Sequence, residues 1–165
     1  MKFHSKRNEV WLRDGAVHKH GPNAQQEAET LQLLFERGVR VPKVLDCDEN
    51  LLVLEFLPGE PLPDLIERGN YCPVKLAQAL FDWLTDFHRA CPGKSHGDIN
   101  GRNFLYDGNV VYGVDFEDTL LPGSIARDFE RLAMFLAKYD TEHTTKQAQL
   151  IHEFTQIMKK HRKTI

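Results

Sequence analysis

Acidic and amide side chains cluster between residues 95 and 118, at a spacing that could serve phosphoryl transfer. Asp98 lies in an H-G-D-x-x-x-x-N segment that ends at Asn103, and Asp115 follows a predicted strand pair. Phosphoryl transfer needs a carboxylate to orient the attacking hydroxyl, and oxygen ligands for the Mg²⁺ that binds the nucleotide phosphates. Asp98 suits the first task, and Asn103 with Asp115 suits the second. The alternative is that these groups only decorate a surface hairpin.

The elements that must position these residues begin with a small antiparallel sheet. Residues 8–20 contain two strand-like runs around Asp14 and Gly15, which form a strong hairpin signal. Residues 41–62 predict two more strands around a polar turn at 48–50. The first part of the chain is therefore predicted to be β-rich.

One helix is predicted between the two strand pairs, over residues 23–38. Asn23 is the expected N-cap, and Gly38 is the expected stop. The predicted apolar stripe comprises Ala28, Leu31, Leu34 and Phe35.

The second part of the chain is predicted to be mainly helical. A hairpin over residues 103–116 turns at 107–109, so it returns Asp115 to the vicinity of Asp98. Apolar residues recur at helical spacing in three further segments, 74–90, 124–140 and 144–161.

The composition predicts a soluble globular protein. The 165 residues carry a formal net charge of −3, which does not suit a general nucleic-acid binder. The start of the chain lacks the apolar core of a secretory signal, and no run is long enough to span a membrane. Cys47, Cys72 and Cys91 are irregularly spaced, so we expect free thiols and a cytoplasmic location. The basic segment 159–165 is interpreted as a solvated helix end, with RNA contact as the alternative.

The H-G-D-x-x-x-x-N and V-D-F-E-D segments resemble those of the protein-kinase-like superfamily, in its aminoglycoside-phosphotransferase and RIO-like small-kinase branches. The chain is also similar to the small kinase of the tRNA threonylcarbamoyladenosine machinery and to lipopolysaccharide Kdo kinases. The resemblance implies an α+β, two-lobed kinase-like fold in one domain. Residues 1–57 would form the sheet-based N-lobe, 58–63 a linker, and 64–165 a reduced, mainly helical C-lobe. It also implies ATP and Mg²⁺ as cofactors, with Asn103 and Asp115 as metal ligands.

The same resemblance gives roles to three catalytic residues. Asp98 would orient and deprotonate the acceptor hydroxyl. Lys19, on the second strand of the first hairpin, would contact the phosphates and pair with Glu27 on the next helix, although Glu29 is not excluded.

Asp128 either caps its own helix or braces the catalytic loop.

Nucleotide contacts are implied on both sides of the cleft. The resemblance implies three kinds of contact with the adenine beside Lys19. A valine would lie above the ring, backbone groups of the hinge would bind its edge, and a further residue would lie beneath it. The implied contact residues are Val10 and Val17 on the hairpin, Glu55, Phe56 and Leu57 in the hinge, and Leu105 below.

Two departures from the family pattern leave the function open. Ser5, Lys6 and Arg7 stand where a glycine-rich loop would lie, and Glu117 replaces the glycine of D-F-G. We predict an ATP- and Mg-dependent phosphotransferase that acts on a small-molecule hydroxyl or on a protein serine or threonine. The alternatives are a pseudokinase that serves as a nucleotide-binding scaffold or sensor, and a kinase subunit of an RNA-modification or ribosome-related complex.

Overall fold

A five-stranded antiparallel sheet forms the first part of the protein, in the spatial order β1-β2-β3-β5-β4. The computed structural model describes residues 2–3, 8–117 and 120–162. The two predicted strand pairs are confirmed, and they share one sheet because β3 pairs with β5. The strands span Lys2–Phe3 (β1), Glu9–Arg13 (β2), Ala16–His20 (β3), Val44–Cys47 (β4) and Leu51–Glu55 (β5).

The β2–β3 hairpin presents Lys19 to the interior. Asp14 and Gly15 have φ values of 51° and 78°, the left-handed conformation in which a two-residue turn matches the twist of its strands. Trp11 and His18 lie opposite each other and stack with ring centroids 5.6 Å apart. Because successive side chains alternate between faces, Lys19 points away from that pair and is buried.

Helix α1, Ala24–Glu36, covers β4 and β5. Ala28, Leu31 and Leu34 are buried as predicted. The prediction for Phe35 is wrong, since its side chain is 47% exposed. Phe35 has the helical phase of Ala28 and Leu31, but in the last turn of α1 the buried position is taken by Leu34, which is fully buried. Gly38 has a φ of 79° and ends the helix, as predicted.

The second part of the described chain is mainly helical, with two short strand ladders that frame the loops. Strand β8 lies between β6 and β9, and β7 pairs with β10. The helices span Leu62–Arg68 (α2), Pro73–Ala90 (α3), Ile125–Lys138 (α4) and Thr144–Arg162 (α5), and the strands span Glu60–Pro61 (β6), Lys94–Ser95 (β7), Phe104–Tyr106 (β8), Val111–Gly113 (β9) and Leu121–Pro122 (β10). An α+β fold with a sheet-based first part and a helical second part is therefore confirmed.

Helix α2 was not predicted, because its sequence carries the prolines of a linker. Pro63 lies in the first turn, where a proline lacks no required hydrogen bond. Leu62, Leu65 and Ile66 are buried, so tertiary packing stabilises a helix of only seven residues.

Helix α3 carries the core of the second part and also reaches the first. Trp83 is fully buried and meets the ring of Phe104 edge-on, with centroids 4.9 Å apart. Its indole N–H donates to the carbonyl oxygen of Arg40, between α1 and β4, at 2.9 Å. The N–H of Gly113 donates to the same oxygen at 3.0 Å. Arg40 therefore links the sheet region to both α3 and the β8–β9 hairpin.

The two ends of the chain lie partly outside the described residues. Lys159 and Lys160 are exposed in the last turns of α5, which continues to Arg162. The remaining tail residues, 163–165, are not described, nor are residues 4–7, where the glycine-rich loop would lie. Among the helices that are described, none is long and apolar enough to cross a bilayer.

The contact between Gly113 and Trp83 is a point where the core tolerates no added atom. A β-carbon at Gly113 would lie 2.2 Å from Cζ2 of Trp83, whose side chain is fully buried. We expect Gly113→Ala to lower the free energy of unfolding by about 1–3 kcal/mol in urea titrations, through overpacking. Asn109→Ala, at the exposed turn of the same hairpin, is the control and should change it by less than about 0.5 kcal/mol. Equal stability of the two variants would contradict this packing.

Candidate active site

A buried lysine between two carboxylates is the centre of the candidate site. Nζ of Lys19 lies 2.7 Å from Oε2 of Glu27 and 2.5 Å from Oδ1 of Asp115. Glu27 is in the first turn of α1, and its other oxygen accepts the backbone N–H of Phe116 at 3.1 Å. Glu29 is exposed. The structure thus pairs Lys19 with Glu27 and joins both to the loop after β9.

The carboxylates keep this lysine charged. Burial alone would lower the pKa of the Lys19 ammonium, but Glu27 and Asp115 outweigh that effect and raise the pKa above its ordinary value. The side chains of Lys19 and Glu27 are only 11% and 2% exposed. An ammonium fixed in this way is suited to bind an anionic group such as a phosphate.

The predicted catalytic loop is held by its own hydrogen bonds. Nδ2 of Asn103 donates to the backbone oxygen of Asp98 at 3.0 Å and to its carboxylate at 3.2 Å. A 3₁₀ turn over Gly101–Asn103 shortens the path between them, and Asn100 caps it by accepting the N–H of Arg102 at 2.9 Å. Asp98 is exposed, so its carboxylate is open to an incoming hydroxyl.

The hairpin brings Asp115 to this loop, as the sequence predicted. The N–H of Val114 donates to the backbone oxygen of Asn103 at 2.9 Å. Asp115 follows with a φ of 65°, a left-handed conformation that costs a residue with a β-carbon about 1 kcal/mol or more. The surrounding contacts hold this strain, and they direct the Asp115 carboxylate to Lys19.

The donor set of Asn103 and Asp115 fits Mg²⁺. The amide nitrogen of Asn103 is committed to Asp98, which leaves its carbonyl oxygen for a cation, and Asp115 adds a carboxylate. Mg²⁺ commonly takes one or two protein carboxylates and completes its shell with phosphate oxygens and water. Within residues 2–3, 8–117 and 120–162, no three His, Cys, Asp or Glu side chains form a cation site by themselves.

The residues implied as nucleotide contacts differ in accessibility. Val10 is half-buried on β2, directly opposite Lys19, and Val17 is half-buried against the core. Leu105, half-buried on β8, packs so closely on Gly59 that a β-carbon at Gly59 would lie 2.8 Å from the Leu105 Cβ.

The hinge residues differ in what they leave open. The N–H of Glu55 is already donated to the backbone oxygen of Lys43 at 2.9 Å. Phe56 is 45% exposed, whereas Leu57 is buried. A nucleotide edge at this strand end would therefore find the N–H of Glu55 taken, and it would depend on the other backbone groups of the hinge.

The sequence interpretation missed a polar group of residues beside Lys19. Glu117 accepts a hydrogen bond from the side chain of Asn8 and lies 3.5 Å from Nζ of Lys19. Asn23 occupies the N-cap position of α1 without capping it, and its Nδ2 lies 3.5 Å from the backbone oxygen of Glu117. These residues line a small recess open to solvent, together with Gly21, Ala24 and Glu27. The signal in the sequence was an acidic residue two positions after Asp115.

A second polar network holds the start of the predicted catalytic loop. Ser95 donates to Oδ1 of Asp128 at 2.5 Å, and Nε2 of His88 lies 3.0 Å from Oδ2. Ser124 occupies the N-cap of α4 and accepts the N–H of Arg127. Of the two alternatives for Asp128, the structure therefore shows the brace.

Glu27 is expected to be the residue on which the Lys19 contacts most depend. Glu27→Ala removes a buried partner from a buried charge, so we expect a loss of about 2–4 kcal/mol in unfolding free energy. Glu29→Ala removes the same group from an exposed position two residues later and should be close to neutral. Urea titrations compare the two, and a loss confined to Glu29→Ala would contradict the pairing.

His96 makes the stability of this region depend on pH. Burial lowers the pKa of His96, and the hydrogen bond from its Nε2 to the backbone oxygen of Val114 at 3.2 Å opposes the shift without cancelling it. The neutral ring is therefore favoured in the folded state, and stability is lost as the pH falls below about 6.5, where the unfolded chain takes up the proton. We expect His96→Gln to lose less stability than the unaltered protein between pH 7 and pH 5. Parallel pH profiles would contradict this.

Comparison with known proteins shows the family to which the chain belongs. Residues 16–148 match the RIO domain family. A probable serine/threonine-protein kinase BUD32 homolog from Archaeoglobus fulgidus is 29% identical over 92 residues, which is 56% of this chain and 43% of that protein. The KEOPS complex subunit Bud32 of Pyrococcus abyssi is 31% identical over 94 residues, 55% of this chain and 42% of that protein. The aligned region thus spans less than half the length of these curated relatives. Because the family match covers most of the sequence, the chain belongs to the RIO domain family, which is protein-kinase-like.

Proposed function

We propose that this protein is an ATP- and Mg-dependent phosphotransferase that moves the γ-phosphoryl group of ATP to a hydroxyl. One observation carries the proposal: a continuous set of contacts connects the buried Lys19 to the exposed Asp98. Lys19 contacts Asp115, the adjacent Val114 is hydrogen-bonded to Asn103, and Asn103 is hydrogen-bonded to Asp98. These contacts support a single site with a cation for the phosphates, oxygen ligands for a metal and an open carboxylate.

Each residue has a task that its surroundings support. Lys19, fixed by Glu27, binds the nucleotide phosphates as a charged ammonium. Asn103 and Asp115 would hold Mg²⁺, which, when bound, neutralises charge on the transferred phosphoryl group. Asp98 is exposed at the loop, where it orients the acceptor hydroxyl and accepts its proton. Fixed charges of this kind supply most of the catalysis in phosphoryl transfer.

The acceptor is proposed to be a protein serine or threonine. The Archaeoglobus fulgidus relative, named as a probable serine/threonine-protein kinase, supports this choice over a small-molecule hydroxyl.

A second candidate function is a nucleotide-binding subunit of a larger complex with little turnover of its own. The Pyrococcus abyssi relative is named as a KEOPS complex subunit, which favours this alternative. Lys19 also has three carboxylates around it, which would slow phosphate entry.

Two substitutions separate nucleotide binding from transfer. We expect Asp115→Ala to abolish Mg-dependent ATP binding, because it removes the carboxylate proposed to ligate the metal. Asp98→Ala should retain binding and lose transfer by about 10²–10⁴-fold, the usual contribution of a positioned acid or base. Calorimetric titration with ATP and Mg²⁺ measures binding, and phosphate release and autophosphorylation by mass spectrometry measure transfer.

The control is Asp82→Ala, which removes an exposed carboxylate on α3 that accepts a hydrogen bond from Gln78 in the same helix. It should behave like the unaltered protein in both assays. Equal losses in Asp98→Ala and Asp115→Ala would contradict the two roles. Binding of ATP without any turnover by the unaltered protein would favour the second candidate.

A further inference from the structure

Glu117 forms a bridge over Lys19 that the proposed reaction does not use. Its carboxylate accepts a hydrogen bond from Asn8, at the entry to β2, and lies 3.5 Å from Nζ of Lys19. Its backbone oxygen lies 3.5 Å from Nδ2 of Asn23, at the start of α1. The Asn8–Glu117 contact, which we call the bridge, thus connects the sheet to the loop after β9 beside the recess that holds Lys19.

The bridge adds a third carboxylate to an ammonium that has only three protons to donate. Asp115, Glu27 and Glu117 lie 2.5, 2.7 and 3.5 Å from Nζ of Lys19. A phosphate oxygen that binds Lys19 must replace one of these acceptors. The contact with Glu117 is the longest of the three, so it is the one expected to yield.

The negative charge of the carboxylates around Lys19 disfavours the binding of a nucleotide that carries no metal ion. Among the described residues, three carboxylates around one ammonium leave a surplus of negative charge where the phosphates must approach. Glu117 is only 13% exposed in its side chain, so solvent screens its charge weakly. A divalent cation that accompanies the nucleotide would offset this repulsion.

Gly21 makes room for the bridge. A β-carbon at Gly21 would lie 1.8 Å from Oδ1 of Asn8, so the Asn8 side chain reaches Glu117 only because position 21 has no side chain. The φ of Gly21 is not in the left-handed region, and alanine is therefore compatible with its backbone. Gly21→Ala would displace Asn8 and leave the charge of Glu117 in place.

We propose that the Asn8–Glu117 bridge is a gate on the phosphate site, and that the carboxylate of Glu117 selects the metal-complexed nucleotide over the free one. The inference rests on the proposed nucleotide binding. In the closed state Glu117 is the third carboxylate beside the Lys19 ammonium, at 3.5 Å. The gate opens when a phosphate oxygen takes the place of Glu117 at the ammonium, and the accompanying cation balances the remaining carboxylates.

The test measures the affinity for ATP by calorimetry, once with excess EDTA and once with excess Mg²⁺, on the full chain. Glu117→Gln should bind metal-free ATP about tenfold tighter than the unaltered protein, because one repelling charge is gone. Gly21→Ala should bind ATP with Mg²⁺ several-fold tighter, and it should keep the preference for the complexed form. Glu29→Gln, the matched loss of an exposed carboxylate on α1, should leave both affinities unchanged.

Two results would overturn the gate while the proposed function stands. If Glu117→Gln weakens binding in Mg²⁺, then Glu117 is a metal ligand. If it changes neither affinity, then Glu117 has no part in nucleotide selection.

A double-mutant cycle of Asn8→Ala and Glu117→Ala in urea tests the bridge without any nucleotide, because alanine leaves no oxygen to accept the hydrogen bond from Asn8. A coupling energy distinguishable from zero supports the bridge, and additive effects on the unfolding free energy overturn it. If the coupling is present but none of the proteins binds ATP in either condition, the phosphotransferase proposal fails, and the gate fails with it.

Discussion

The burial of one ammonium group constrains the whole candidate site. Transfer of an unpaired charge from water into the protein is prohibitively unfavourable, so Lys19 can be buried only with acidic partners close by. One partner, Glu27, comes from α1, and the other, Asp115, comes from the loop after β9. The two partners are 88 positions apart in sequence, 27 against 115, and the lysine fixes them relative to each other. Helix α1, the sheet and the β8–β9 hairpin must therefore assemble together.

The loop after β9 is also fixed by the packing of a buried aromatic ring. The ring of Phe116 is fully buried and lies 4.2 Å from the ring of His96, centroid to centroid. The backbone N–H of Phe116 is bonded to Glu27, so this residue is fixed both by its ring and by its main chain. Its neighbours Asp115 and Glu117 are held at Lys19 as a consequence. The strained backbone of Asp115 persists because these contacts on both sides determine it.

Local patterns predicted the elements well where the signal was strong and short-range. The turn at Asp14 and Gly15 and the stop at Gly38 require particular backbone angles, and those angles depend on the residues themselves. Prediction failed for α2 and for Phe35, where the deciding factor lies elsewhere in the fold. Helix α2 is stabilised by the burial of its leucines, and in the last turn of α1 the buried position is taken by Leu34 and not by Phe35.

The sequence by itself determined which residues could form the site: a lysine on a hairpin strand, an acid on the next helix, and an H-G-D-x-x-x-x-N loop followed by a hairpin and an aspartate. The residue types supply the functional groups. The hairpin brings the aspartate that follows it back to the loop that precedes it, because the two strands of a hairpin run in opposite directions. Only the tertiary structure decided that Glu27 and not Glu29 pairs with Lys19, and that Glu117 and Asn8 join them. Those contacts depend on how α1 is rotated and seated against the sheet and the loop after β9. Such packing must bury apolar side chains and also pair the buried charge of Lys19, and the residues involved are far apart in the sequence. No local pattern therefore encodes it.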